Sequence, residues 1–124
     1  MSRAQARAIA QAIACDIHPL NNLRVLAYLV EVGGFDDAAK LAWYRHWTES
    51  GLAAVEHMLS RTETPFCCGD EPGLADCCLL PQIYNARRFD CSLDGLDRVQ
   101  AIAARLEGRD ELQAAMPQNQ PDAG

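Results

Sequence analysis

The spacing of aliphatic residues between Arg3 and about Val30 constrains this chain most. Ile9, Ile13, Ile17, Leu20, Leu23, Leu26 and Val30 recur at intervals of three or four, the period of one face of an α-helix. Pro19 falls inside the run. Proline supplies no backbone N–H and pushes His18 away from the α region, so the pattern predicts two helical pieces joined by a bend rather than one straight rod. Gly33-Gly34 then ends the second piece.

The rest of the chain repeats that period. Asp36 or Asp37 can cap a long helix with Leu41, Tyr44, Trp47, Gly51, Val55 and Met58 or Leu59 as its buried stripe. It stops near Thr62 to Pro65, and residues 66–73 read as a loop from their glycines, proline and acids. Gly73 is the expected N-cap of the next helix. Asp76 stands where it can reach back to that cap's N–H, half of a capping box whose other half would need Ser or Thr at 73. This helix carries Cys77, Leu80, Pro81 and Tyr84 and ends near Arg88-Phe89. Leu96, Val99, Ile102, Ala103 and Leu106 mark another, broken at Gly108, with a short piece through Leu112 and Ala115 and a polar tail at Pro117 and Pro121. No segment alternates with period two, and no longer repeat is visible. The expected fold is all-α, a helical bundle forming a single domain over residues 1–124.

Composition narrows the function classes. With 49% apolar and 23% charged residues and no apolar run long enough to span a bilayer, the chain reads as a soluble, cytoplasmic protein. A net charge of -6 with scattered basic residues argues against nucleic acid as a partner. The six cysteines read as reduced, largely buried thiols, because so aliphatic a chain needs no staples. Adjacent cysteines such as Cys67-Cys68 and Cys77-Cys78 point to different faces and lack zinc-knuckle spacing, so no metal is expected.

Two places concentrate polar groups against an apolar pattern. At residues 16–24 the bend gathers Asp16, His18, Asn21, Asn22 and Arg24. If Asn22 caps the second piece, the N–H groups of Leu23 and Arg24 are free donors at a positive helix end, where a carboxylate is favoured; alternatively Asn22 only caps and His18 only packs. Arg87-Arg88 either complements the negative end of its helix or clamps an anionic ligand. For Asp76 capping is the stronger account than acid catalysis. His46 and His57, amid charges, read as surface residues.

The run Asp16-Ile17-His18-Pro19-Leu20-Asn21-Asn22-Leu23-Arg24-Val25-Leu26, with Trp47, Phe66-Cys67-Cys68-Gly69-Asp70, Ala75-Asp76, Pro81-Gln82, Asn85-Ala86-Arg87-Arg88-Phe89 and Gln120-Pro121-Asp122-Ala123, closely resembles the C-terminal domain of zeta-class glutathione transferases, and most of all the bacterial maleylpyruvate and maleylacetoacetate isomerases. The resemblance implies glutathione as cofactor and a maleyl diketo acid as substrate, isomerised to its fumaryl form, in a homodimer. It assigns His18, Asn22, Leu23 and Arg24 to glutathione and Arg24 and Arg88 to the substrate's carboxylates, with Arg87 the fallback should the register differ by one. It assigns no catalytic residue to this chain, because the family activates the thiol from an N-terminal thioredoxin-like domain. Met1 stands where the helical domain would begin, so the expectation is a truncated or split copy whose first helix exposes apolar surface and favours self-association. The alternatives are a general glutathione transferase and a non-catalytic, transferase-like interaction module.

Overall fold

The computed structural model describes residues 2–123. They form six α-helices and no strand: α1 (Arg3–Asp16), α2 (Leu23–Glu31), α3 (Asp37–Leu59), α4 (Leu74–Arg88), α5 (Asp97–Glu107) and α6 (Asp110–Ala114), with short 3₁₀ turns at His18–Asn21 and Pro117–Asn119. The second turn lies in the polar tail expected at Pro117 and Pro121. None of these helices is long and apolar enough to cross a membrane.

Local chemistry sets most boundaries. Ser2 and Gln5 close a reciprocal capping box at α1, the Gln5 N–H donating to Ser2 Oγ and the Ser2 N–H to Gln5 Oε1. At Pro19 the chain tightens into the 3₁₀ turn, as expected from a residue that cannot donate, and Asn22 starts α2 by accepting from the Arg24 N–H at 3.2 Å. Asp36 caps α3. Helix α5 has no capping side chain of its own; Glu56 of α3 accepts from the Arg98 and Val99 N–H groups, both at 2.8 Å. A tertiary carboxylate thereby serves the positive helix end.

Helix α1 packs on α4 and α3, and α5 closes the other side against α3 and α4. Ile9, Ile13, Ile17, Leu52, Val55, Leu59, Leu79, Ile83, Val99, Ile102 and Leu106 make the core, each contributing about 1.5–3 kcal/mol by the area it removes from water. Gly51 lets α3 approach the bend: a Cβ there would lie 2.2 Å from Cγ1 of the fully buried Ile17.

Three expectations need correction. The stripe α3 buries is Tyr44, Thr48, Leu52, Val55 and Leu59, with Leu41, Trp47, Gly51 and Met58 only partly covered. Both stripes have helical spacing, and the hydroxyl of Thr48 hid the true one. The large apolar side chains left open are on α2 and its C-cap rather than on the first helix: Leu23, Tyr28, Val30 and the capping Val32 are exposed, as is Leu74 at the start of α4, whereas α1 buries Ile9, Ala10 and Ile13. The cysteines are all free but only Cys67 and Cys91 are buried; Cys15 and Cys77 are exposed. His46 and His57 are exposed, as expected.

Candidate functional site

The Pro19 bend is held from one side. Trp43 Nε1 donates to the Leu20 carbonyl at 2.9 Å, and Asn21 Nδ2 donates to the Tyr44 carbonyl at 3.2 Å and to Thr48 Oγ1 at 3.0 Å. The adjacent asparagines divide the labour, Asn21 facing α3 and Asn22 capping α2. His18, Leu23 and Arg24 are exposed beyond them, Leu23 at 83%. One of the two donors expected to be free is taken, since the Arg24 N–H bonds to Asn22 Oδ1. The Leu23 N–H has no partner among the described residues.

At the end of α4 the chain turns through Asp90, whose φ of 52° is left-handed, while the Cys91 N–H bonds back to the Ala86 carbonyl at 2.8 Å. That six-to-one bond and the αL residue make a Schellman-type stop, with aspartate in the place glycine usually takes. The two arginines before it differ. Arg87 forms an ion pair with Glu107 of α5. Arg88 has no carboxylate partner among the described residues; its guanidinium lies 5.6 Å from the centre of the Phe89 ring.

Arg88 also borders a groove of about 460 Å³ between α4 and the C-terminal segment, walled by Leu80, Pro81, Tyr84, Leu112 and Met116. That volume is within the range of small-molecule sites. Pro81 lies on its wall and lacks the N–H that would meet the Cys77 carbonyl, so helix α4 carries a carbonyl without its usual donor there. None of His18, Asn22, Leu23 or Arg24 lines this groove. The bend and Arg88 are linked instead through Tyr44: its carbonyl receives Asn21, and its ring stacks on Phe89 with centroids 4.1 Å apart. Tyr44 was expected in the buried stripe, but Asn21, Trp43 and Thr48, which hold these pieces with it, carried no assigned role; the doubled Asn21-Asn22 and a threonine at core spacing were the available signals.

Asp76 is a structural carboxylate. It is 1% exposed, accepts from the Gly73 N–H at 2.9 Å as half a capping box, and with its second oxygen accepts from the Cys67 N–H at 3.0 Å, pinning the preceding loop. Four of the thiols are held towards their protonated form: burial pushes the pKa of Cys67 up, with the Asp76 carboxylate adding to it, and burial likewise raises Cys68, Cys78 and Cys91. The described residues contain no group of three His, Cys, Asp or Glu that could hold a metal ion.

No family model matches the chain. A probable maleylacetoacetate isomerase of Vibrio cholerae is 46% identical over 121 residues, 98% of this chain and 56% of that protein. The crystal structure of maleylpyruvate isomerase from Pseudomonas aeruginosa PAO1 superposes with a TM-score of 0.94 at 44% identity, over 98% of this chain and 64% of that one. A holo maleylpyruvate isomerase described as a bacterial zeta-class glutathione S-transferase gives the same TM-score at 40% identity, over 98% and 58%. The chain thus spans a little over half the length of the curated relative. Nearly all of its length takes part in each likeness, and its fold is all-helical, with the bend and α4 end where the resembling motifs stand. Over nearly its whole length the chain is thus similar to the helical part of these isomerases, one of them a zeta-class glutathione S-transferase, and shares that part's fold.

Proposed function

We propose that this chain supplies the substrate-side domain of a glutathione-dependent cis-trans isomerase that converts maleylacetoacetate or maleylpyruvate to its fumaryl isomer. The observation that carries the reading is the difference between the two arginines at the end of α4. Arg87 is neutralised by Glu107, while Arg88 remains unpaired at the edge of a groove, the condition for recruiting a carboxylate. Arg24 supplies the second cation on α2.

Glutathione, when bound, supplies the thiolate that makes the cis double bond temporarily single and lets it rotate. The raised thiols of this chain do not compete for that role. The unbonded Leu23 N–H at the positive end of α2, with Asn22, Arg24 and His18 around it, suits one of the tripeptide's carboxylates. Arg24 and Arg88 hold the substrate's two carboxylates and offset the negative charge that develops beside them during rotation. The reading includes a cytoplasmic homodimer, as in the family. The apolar side chains exposed on α2 favour a second reading, a docking module that binds a protein partner through Leu23, Tyr28 and Val32.

Calorimetric titration of the full chain with glutathione and with maleate tests the first reading. Arg88→Ala and Arg24→Ala are each expected to weaken maleate binding about tenfold, the loss of roughly 1.4 kcal/mol, while Arg87→Ala leaves it within about twofold. Absence of binding by both ligands, or equal effects of Arg87→Ala and Arg88→Ala, would overturn it.

A further inference from the structure

Among the described residues, Arg109 and Arg88 each lie over an aromatic ring, and the two are not alike. Arg109 is 5.8 Å from the centre of the Phe66 ring and is also paired with Glu71 and Glu111. Arg88 is 5.6 Å from the centre of the Phe89 ring and meets no carboxylate among the described residues. A carboxylate takes a guanidinium by its N–H edge and cancels its charge. An aromatic ring attracts the same cation through its electron-rich face, occupies none of its donors and carries no charge to cancel it. Phe89 therefore holds Arg88 while leaving its donors open, whereas Glu107 occupies those of Arg87.

Consecutive residues touch readily, so the contact would carry little if the ring were free to turn. Helix α3 fixes it. The Phe89 ring packs on the buried Tyr44, with centroids 4.1 Å apart and planes inclined by 36°. The Phe89 carbonyl accepts from Arg45 Nε at 3.0 Å, and its N–H donates to the Asn85 carbonyl at 3.1 Å. Three residues on, the Ser92 N–H donates to Glu49 Oε1 at 2.7 Å. Between these anchors stands Asp90, at a φ of 52° that residues other than glycine seldom adopt. Tyr44, Arg45 and Glu49 thus grip both the ring and the backbone that follow Arg88.

From this geometry we infer that Phe89 is a positioning residue: its ring, fixed against Tyr44, is the platform that keeps the Arg88 guanidinium ordered and unpaired for a carboxylate. The inference rests on the proposed reading that Arg88 binds a carboxylate of the substrate. The advantage is order present before the ligand arrives, since immobilising a long, rotamer-rich side chain on association weakens binding.

The test uses the full chain with maleate as the probe. Phe89→Leu, which keeps an apolar side chain but removes the ring face, is expected to weaken binding about threefold, and Phe89→Tyr to restore it. A double-mutant cycle separates positioning from stability: in an Arg88→Ala background, adding Phe89→Leu changes affinity no further. Equal losses in the two backgrounds, or no recovery in Phe89→Tyr, overturn the platform role. Should Phe89→Leu not fold, pentafluorophenylalanine at position 89 keeps the ring's shape and reverses its quadrupole; it is expected to weaken maleate likewise, and unchanged affinity overturns the role. A ligand-free measurement keeps the two readings apart. In ¹⁵N-labelled chain the Arg88 Nε–H resonance is expected to carry a ring-current shift that Phe89→Leu removes and Phe89→Tyr retains. If the wild-type chain binds no maleate, the functional reading fails, while this resonance still decides whether Phe89 holds Arg88; a resonance that Phe89→Leu leaves in place overturns the inference.

Discussion

Replacing Asp76 by alanine is expected to destabilise the chain by about 3–4 kcal/mol. The carboxylate is 1% exposed and accepts two backbone N–H groups, from Gly73 at 2.9 Å and Cys67 at 3.0 Å. Hydrogen bonds to a charged acceptor contribute about 1.5–3 kcal/mol each. The two donors are not equivalent once the acceptor is gone. Gly73 is exposed and its N–H can turn to water, so its share falls to about 1 kcal/mol; Cys67 is fully buried, and its stranded donor adds a desolvation cost, bringing its share to about 2–3 kcal/mol. Urea unfolding followed by circular dichroism reads the sum: with a slope of about 2 kcal/mol per molar, the midpoint should fall by roughly 2 M. Amide hydrogen exchange separates the shares, because the Cys67 N–H should lose protection while amides in α1 keep theirs relative to the new global stability. Asp76→Asn retains one carbonyl oxygen but sets its NH₂ against the other donor, so about half the loss or more should remain. An Asp76→Ala chain within about 1 kcal/mol of wild type would refute the reasoning, showing that the loop at Cys67 finds other partners when the carboxylate is removed.

Three further outcomes follow from single contacts. Gly73→Ser should complete the capping box, since Gly73 has ordinary extended backbone with no atom within 4 Å of a new Cβ; a gain of a few tenths of a kcal/mol appears as a rise of about 1–2 °C in Tm, and a fall in Tm would contradict it. Gly51→Ala gains about 1 kcal/mol of helix propensity but drives its Cβ into Ile17, and overpacking of about 1–3 kcal/mol should leave a net loss of about 1 kcal/mol in the same urea assay; a stabilised variant would mean that Ile17 can rotate aside. The buried Cys67 thiol, raised above its ordinary 9.0, and Tyr44, raised above 10.0, both ionise more readily in the unfolded chain, so their contribution is complete below about pH 8 and drains away above about pH 9. Stability measured across that range should decline with pH, and Cys67→Ala should flatten the decline; an equal slope in that variant would remove Cys67 as its cause.

How far the candidate site can be read from the chain depends on the range of the forces involved. Pro19 forces the bend, Asn22 caps the helix after it, and Gly73 with Asp76 marks the start of α4, because each acts on backbone groups within about one turn of itself. The choice between Arg87 and Arg88 is different. Both are exposed at the same helix end, and only the approach of Glu107 from α5 neutralises one of them. In α3, the series Tyr44-Trp47-Gly51-Val55 and Tyr44-Thr48-Leu52-Val55 both fit a 3.6-residue period, and the rotation of the helix against α1 and the bend decides that the second faces inward.

Sequence alone thus determined an all-α chain, the places where its helices start, stop and bend, and a resemblance to the helical domain of the zeta class. The tertiary structure decided which asparagine turns inward, which arginine stays unpaired, that Glu56 caps a helix lying 42 residues further along, and that the large apolar side chains left open lie on α2 and its C-cap rather than on α1. The physical reason is common to all four. Capping, periodicity and proline sterics are settled by neighbours in the chain, whereas desolvation and pairing depend on which groups packing brings together, however far apart they stand in sequence.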